Sequence, residues 1–392
     1  MYYTINHTTV HEHAAQLLQT CLRLRDFSPN CTVRVLLHVI FTACSRLCSL
    51  SAACLSLATA PSRETIRKAA LRALAQRDEL LRRLNRALTF EIPRVLRRRA
   101  QQVAIDLVLI PYHGEPLEDI SEIYRSQAKS GTSHFHAYAT AYVNYRGQRY
   151  TLALTLVERG EKMQEVLKRL LRRLSQLGIP VRMLLLDRGF WSVAVIRYLQ
   201  AARKPFLMPV VLRGRKDDHP EGPSGTRVFA IHKRGGWDEY TLTAADKMTA
   251  RVSICIHCRN YNGQWKRHGR QTLVYAFWKI TPSNTQWVRE TYRKRFAIET
   301  SYRQLHQARA RTCTRNPLMR LLLVGIALVL RNVWVWLHYA VLSTPRRGSR
   351  RYNPERLPLR RMLLWLQHLA EKELGWKDEV DTERPMPLQF IR

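Results

Sequence analysis

Three carboxylates in this 392-residue chain stand where such groups do chemistry rather than face solvent. Asp106 interrupts the apolar run 103–110 (Val-Ala-Ile-Asp-Leu-Val-Leu-Ile), and Asp187 follows a second run, 181–186 (Val-Arg-Met-Leu-Leu-Leu). A buried carboxylate is costly unless it is paired, protonated or bound to a metal. Glu299 comes much later, in a stretch with helical character. Hard divalent cations such as Mg²⁺ take carboxylate oxygens, waters and substrate phosphates as ligands. Two such ions about 3.5–4 Å apart activate an attacking hydroxyl and steady the leaving oxygen in phosphodiester chemistry. Two strand aspartates and a helix glutamate could supply that cage.

The elements that would position them can be read from periodicity. The two runs are rich in branched residues and bounded by Pro111 and by Gly178-Ile179-Pro180, the pattern of strands buried on both faces. Between them, 134–145 and 149–158 alternate around Arg146-Gly147-Gln148 as a hairpin. Helices are expected over 161–177 and about 192–202, and a further strand over 205–212. The order β-β-β-α-β-α-β is an antiparallel meander followed by crossovers, which makes the strands of Asp106 and Asp187 neighbours. From Trp287 to Asn316 there is neither Gly nor Pro, so one continuous helix is expected. At about 100° per residue, Tyr292, Arg295, Glu299 and His306 share a stripe roughly 60–100° wide. A solvated face with an ion pair one turn apart would look the same.

Composition narrows the partner. The net charge is +35, with Lys and Arg spread along the chain. Such a field attracts polyanions, and nucleic acid is the commonest. Residues 1–95 read as a helical DNA-binding domain. Within it, Pro61-Ser62 precedes a basic amphipathic run to Arg86 in a helix-turn-helix pattern, with Arg63, Arg67 and Lys68 as DNA contacts. Residues 96–212 and 286–345 are read as two parts of one α/β core. Residues 213–285, rich in Gly, basic residues and Trp, form a β-rich insertion, and 346–392 a C-terminal helical region.

The eight cysteines show no disulfide-framework spacing, and Cys255–Cys258 is a single CxxC without the second pair of a zinc site. No signal peptide is read at the start, so a cytoplasmic, nucleoid-associated protein is expected. The stretch 321–342 imitates a membrane span. Its uninterrupted apolar run ends at Arg331-Asn332 and is about half of what a bilayer requires, so a buried core helix is expected and no membrane partner.

With these residues in place, the chain resembles the DDE transposases of bacterial and archaeal insertion sequences. The segment 105–114, the Leu-Leu-Leu-Asp-Arg-Gly-Phe segment at 184–190, and Tyr292, Arg295 and Glu299 carry the resemblance. The last three fit the branch signature Tyr-x2-Arg-x3-Glu-x6-Lys, in which His306 replaces the lysine and so loses a permanent charge. The resemblance implies an RNase H-like fold: a mixed α/β sheet flanked by helices. It implies that Asp106, Asp187 and Glu299 hold two Mg²⁺ ions, with Mn²⁺ as a substitute, and that they cut and join DNA. It also implies that Tyr292, Arg295, His306 and Arg188 contact DNA, and that Trp237, Trp265 or Trp278 receives a flipped base. The implied partners are double-stranded DNA, as terminal inverted repeats and as target, and a second copy of the chain that pairs two ends. An RNase H-like nuclease without strand transfer, or a decayed copy acting as a DNA-binding repressor, are the alternatives.

Overall fold

The computed structural model describes residues 4–115, 120–262, 268–346 and 349–379. In chain order the helices are α1 (His7–Leu22), α2 (Val33–Arg46), α3 (Leu50–Leu55), α4 (Arg63–Arg72), α5 (Arg77–Leu88), α6 (Val95–Arg98), α7 (Met163–Gln176), α8 (Val193–Ala201), α9 (Thr285–Arg293), α10 (Ala297–Ala308), α11 (Pro317–Leu337) and α12 (Leu359–Leu374). The strands are β1 (Gln101–Pro111), β2 (Tyr124–Lys129), β3 (Thr132–Tyr145), β4 (Gln148–Val157), β5 (Val181–Leu186), β6 (Phe206–Pro209), β7 (Gly236–Thr243), β8 (Thr249–Asn262) and β9 (His268–Trp278), followed by a short β10–β11 ribbon (Thr344–Arg346, Ser349–Arg351). They fall into two compact units, 88–304 and the combined terminal segments 1–87 and 305–392.

The central unit is a mixed sheet. β3 pairs antiparallel with β1 and β4, β1 pairs parallel with β5, and β5 pairs parallel with β6. This is the RNase H-like order that the β-β-β-α-β-α-β pattern predicted. The apolar runs of β1 and β5 make them interior strands, and their pairing ends at Ile105↔Leu186. The next residue on each strand is an aspartate, so the register itself brings Asp106 and Asp187 side by side. The β-rich insertion extends this sheet: β9 joins the edge of β6 from Phe206↔Trp278 to Pro209↔Tyr275, and β8 and β7 follow outward.

Period-2 alternation sorts the residues of β1 between two layers. On the face of Ala104 and Asp106, α9 contributes Val288 and Tyr292 to a core with Tyr142, Met183, Leu185, Leu207, Cys255, Tyr275 and Phe277. On the opposite face α7 lies over β3 and β4, anchored where Arg169 donates to the Thr155 hydroxyl at 2.9 Å.

The helix expected over 287–316 is interrupted. α9 stops at Arg293, a 3-10 turn covers Lys294–Phe296, and α10 ends at Ala308. The cause is distant in sequence. The Tyr142 hydroxyl, from β3, donates to the carbonyls of Arg295 (2.9 Å) and Lys294 (3.3 Å), taking acceptors an unbroken helix would use itself. The strand expected over 205–212 is shorter, ending at Pro209. The basic run after Ser62 is two helices. Ser62 caps α4 by accepting from the Thr65 amide at 3.1 Å, and α5 restarts with Asp78 and Glu79 in its first turn, where carboxylates suit the helix dipole.

In the terminal unit, α11 is buried around nearly its whole circumference. The most apolar window of Pro317–Leu342 is 94% buried, as expected of a core helix. α5 crosses it so closely that a Cβ at Gly325 would lie 2.4 Å from the Leu84 side chain.

A polar chain, buried at its two histidines and open to solvent at its Arg34–Glu373 end, ties α1, α2 and α12 together. His11 Nε2 lies 3.0 Å from His38 Nδ1, His38 Nε2 lies 2.8 Å from Glu373, and Arg34 Nε donates to the same carboxylate at 2.7 Å. Burial lowers His11 to about 3 and also lowers His38, so both rings are neutral. The hydrogen bond from Arg34 holds Glu373 down at about 2. The folded values of His11 and Glu373 lie below their unfolded ones of 6.5 and 4.5, so both contributions are complete at neutral pH. They are lost as pH falls, His11 between 6.5 and about 3 and Glu373 between 4.5 and about 2. Thermal melts should therefore show the midpoint dropping by several degrees from pH 7.5 to 5.5. Glu373→Gln should cost on the order of 1–3 kcal/mol at pH 7.5. Equal midpoints at the two pH values would remove this chain as a source of stability.

Candidate functional site

Asp106 and Asp187 meet through one guanidinium. Arg295, 7% exposed, donates from Nη1 to Asp106 Oδ2 at 2.8 Å, and its Nη2 lies 3.6 Å from Asp187 Oδ1. The 3-10 turn presents Arg295 to the strand ends, and the Tyr142 hydroxyl fixes that turn. Asp106 Oδ1 accepts from the Leu107 amide at 2.8 Å. The Tyr292 hydroxyl, pushed up by burial and so kept protonated, lies 3.3 Å from the carbonyl of Leu186 and steadies the strand end that carries Asp187. The Tyr302 hydroxyl lies 3.1 Å from that of Thr140, the residue opposite Asp106 on β3.

The electrostatics follow from burial. Desolvation raises Asp106 to about 6; Arg295 pulls it down, and Asp187 pushes it up further. Asp187 is the more open of the two, its side chain 37% exposed. It faces a cavity of about 990 Å³ lined by both aspartates and by Arg188, Arg259, Arg289, Arg293 and Arg295. Five arginines against two aspartates make it a receptor for anions, with an acidic spot at its base. An elongated anion such as a phosphodiester strand fits that pattern.

The donor set can be tested against a metal. Oxygens of two carboxylates converge on one cationic group, and one of them opens onto a cavity. Hard oxygen donors of this kind, once a cation takes the place of the guanidinium, suit a divalent ion such as Mg²⁺. Glu299 lies on α10, but its side chain is outside the described residues. No cluster of three His, Cys, Asp or Glu occurs among the described residues. Cys255 and Cys258 cannot act as a pair: three residues apart on β8 they point to opposite faces, Cys255 into the core and Cys258 toward the His232 carbonyl.

The other residues singled out in the sequence are dispersed. Arg188 lines the cavity, and Tyr292 is 3% exposed at its wall. His306 is exposed on α10 within the terminal unit. Arg63, Arg67 and Lys68 are exposed on α4, where Arg67 forks onto Glu64 at 2.6 and 2.8 Å. Trp237 is 50% exposed on β7, edge-on to Phe277, and Trp278 lies opposite Phe206 at the start of β6. Trp278 is therefore toward the strand end remote from Asp187, whereas Trp237, paired with Cys255 and through it in line with Tyr275 and Pro209, lies at the level of the C-terminal end of β6. Trp265 falls outside the described residues.

Sequence reading missed Arg259, Arg289 and Arg293. The i,i+4 spacing of Arg289 and Arg293 beside Tyr292 was a usable signal. Arg259 reaches the cavity only through the pairing of β8 with β9, which no local pattern shows.

Removing Arg295 would leave Asp106 buried without its cation. Asp106 would then titrate above its present value of about 6, and the loss of stability from burying it, which begins as pH rises past the unfolded value of 3.8, would continue beyond pH 6 instead of levelling off there. Arg295→Gln should cost about 3 kcal/mol at pH 8 and clearly less at pH 5, where Asp106 takes up a proton. Denaturant unfolding at the two pH values checks this, and an equal loss at both would show that the pair does not carry the energy.

Residues 97–332, more than half of the chain, match the family model described as Transposase DDE domain. No curated protein matches the chain significantly. The match spans β1, β5 and α10, the elements of all three carboxylates. With its sheet order and its pair of converging aspartates, the chain belongs to the DDE transposase family.

Proposed function

We propose that this chain is the transposase of an insertion sequence, which binds the terminal inverted repeats of its element, cleaves there and joins the freed ends to target DNA. The observation that carries the proposal is the convergence of Asp106 and Asp187 on one cation at the base of an arginine-lined cavity. Asp106 and Asp187, with Glu299 from α10, would hold Mg²⁺, or Mn²⁺ in its place. A bound divalent ion supplies activation of the attacking hydroxyl and neutralises charge on the leaving oxygen.

The chain's own residues do the rest. Arg188, Arg259, Arg289 and Arg293 take the phosphates of the DNA strand and set its register against the aspartates. Tyr292, through Leu186, fixes the height of Asp187. The ionised form of Asp106 is needed to hold a cation, which its value of about 6 allows at neutral and alkaline pH. Arg63, Arg67 and Lys68 on the exposed face of α4 add contacts along the inverted repeat. Two ends handled in concert call for two copies of the chain.

The test is incubation of the chain with duplexes carrying its own element's ends and Mg²⁺, with nicked and joined products read on a denaturing gel. Asp106→Asn, Asp187→Asn and Glu299→Gln should each abolish cleavage while leaving end binding largely intact. Cleavage by any of the three would overturn the assignment of that residue, and cleavage with no joined product would make the chain a nuclease. Arg259→Ala should weaken DNA binding about tenfold and lower the slope of log K against log salt by about 1, as loss of one phosphate contact requires.

A further inference from the structure

Arg295 stands where a cation shared by the two aspartates would stand. Two nitrogens of one planar fork reach two different carboxylates, at 2.8 and 3.6 Å. One oxygen of Asp106, Oδ1, is held by the Leu107 amide, and the other, Oδ2, is the one that Arg295 engages. A guanidinium is permanently charged and cannot make way by losing a proton. A dication on the same oxygens would face that charge across a few ångströms of poorly screened space. The two cations therefore compete for one place.

We propose that Arg295 is an internal counter-cation that closes the Asp106–Asp187 pair to metal, and that it exchanges places with the metal when a DNA phosphate enters the cavity to receive it. The inference rests on the reading that these aspartates hold the metal. Arg295 also lines the cavity, so a phosphate bound there lies within reach of the same fork. Its backbone is pinned by the Tyr142 hydroxyl, which leaves the side chain as the moving part. Metal and DNA end then favour one another, by equal factors as linkage requires, because each provides for the charge the other displaces. Metal alone is held weakly, and the chemistry waits for a bound end.

Calorimetric titration of the full-length chain with Mn²⁺ alone, without DNA, tests the exchange. Arg295→Gln should bind Mn²⁺ at least tenfold more tightly than the unmodified chain, and Arg295→Met, made alongside in case one variant fails to fold, should do the same. Equal or weaker binding by a folded variant would overturn the proposal. Asp106→Asn added to Arg295→Gln separates the two readings. If the tight binding disappears, Asp106 is a ligand; if it persists, the metal-site reading fails whatever Arg295 does. The unmodified chain gives an independent measurement. In nitrogen NMR the Arg295 Nε signal, assigned by its loss in Arg295→Lys, should shift on titration with Mg²⁺ plus end duplex. A signal that stays in place would also overturn the exchange.

Discussion

Two carboxylates on adjacent parallel strands repel one another unless a cation lies between them, and this constraint shapes the central unit. The pairing of β1 with β5 ends at Ile105↔Leu186 and leaves Asp106 and Asp187 abreast. Burial pushes Asp106 up toward neutrality, and only a nearby positive charge keeps it ionisable in the useful range. Arg295 supplies that charge, and three features exist to deliver it: the end of α9, the 3-10 turn and the Tyr142 hydroxyl that holds the turn. The sheet creates an electrostatic problem, and a break in a helix answers it.

That break separates what could be read in the sequence from what could not. Both aspartate-bearing strands announced themselves because a charged residue in or beside an apolar, branched run has few bland explanations. Their adjacency followed from chain order, since a meander followed by crossovers permits few sheets. The segment 287–316 contains no helix breaker, so a continuous helix was the natural reading. Its interruption comes from a hydroxyl more than 150 residues away in sequence. Periodicity within a window cannot register such a contact.

The same distinction holds elsewhere. The insertion was legible as short β strands, yet its merging with the main sheet depends on β9 finding the free edge of β6. Arg259 reaches the cavity wall only as a result of that merger. In the terminal unit, the polar chain His11–His38–Glu373 joins residues from both ends of the chain, and no motif foretold it. The core-helix reading of 321–342 succeeded because Arg331 and Asn332 break the apolar run in a way that sequence displays directly.

Asp106 and Asp187 share one guanidinium, and a metal in its place would be held by both. Iron(II) substituted for Mg²⁺ generates hydroxyl radicals where it is bound, and the polypeptide is cut nearby. With end duplex, iron and ascorbate, the chain should yield fragments ending near residues 106 and 187, and both cuts should vanish together in Asp106→Asn and in Asp187→Asn. Cuts at only one of these positions, or cuts that survive either substitution, would contradict the shared site.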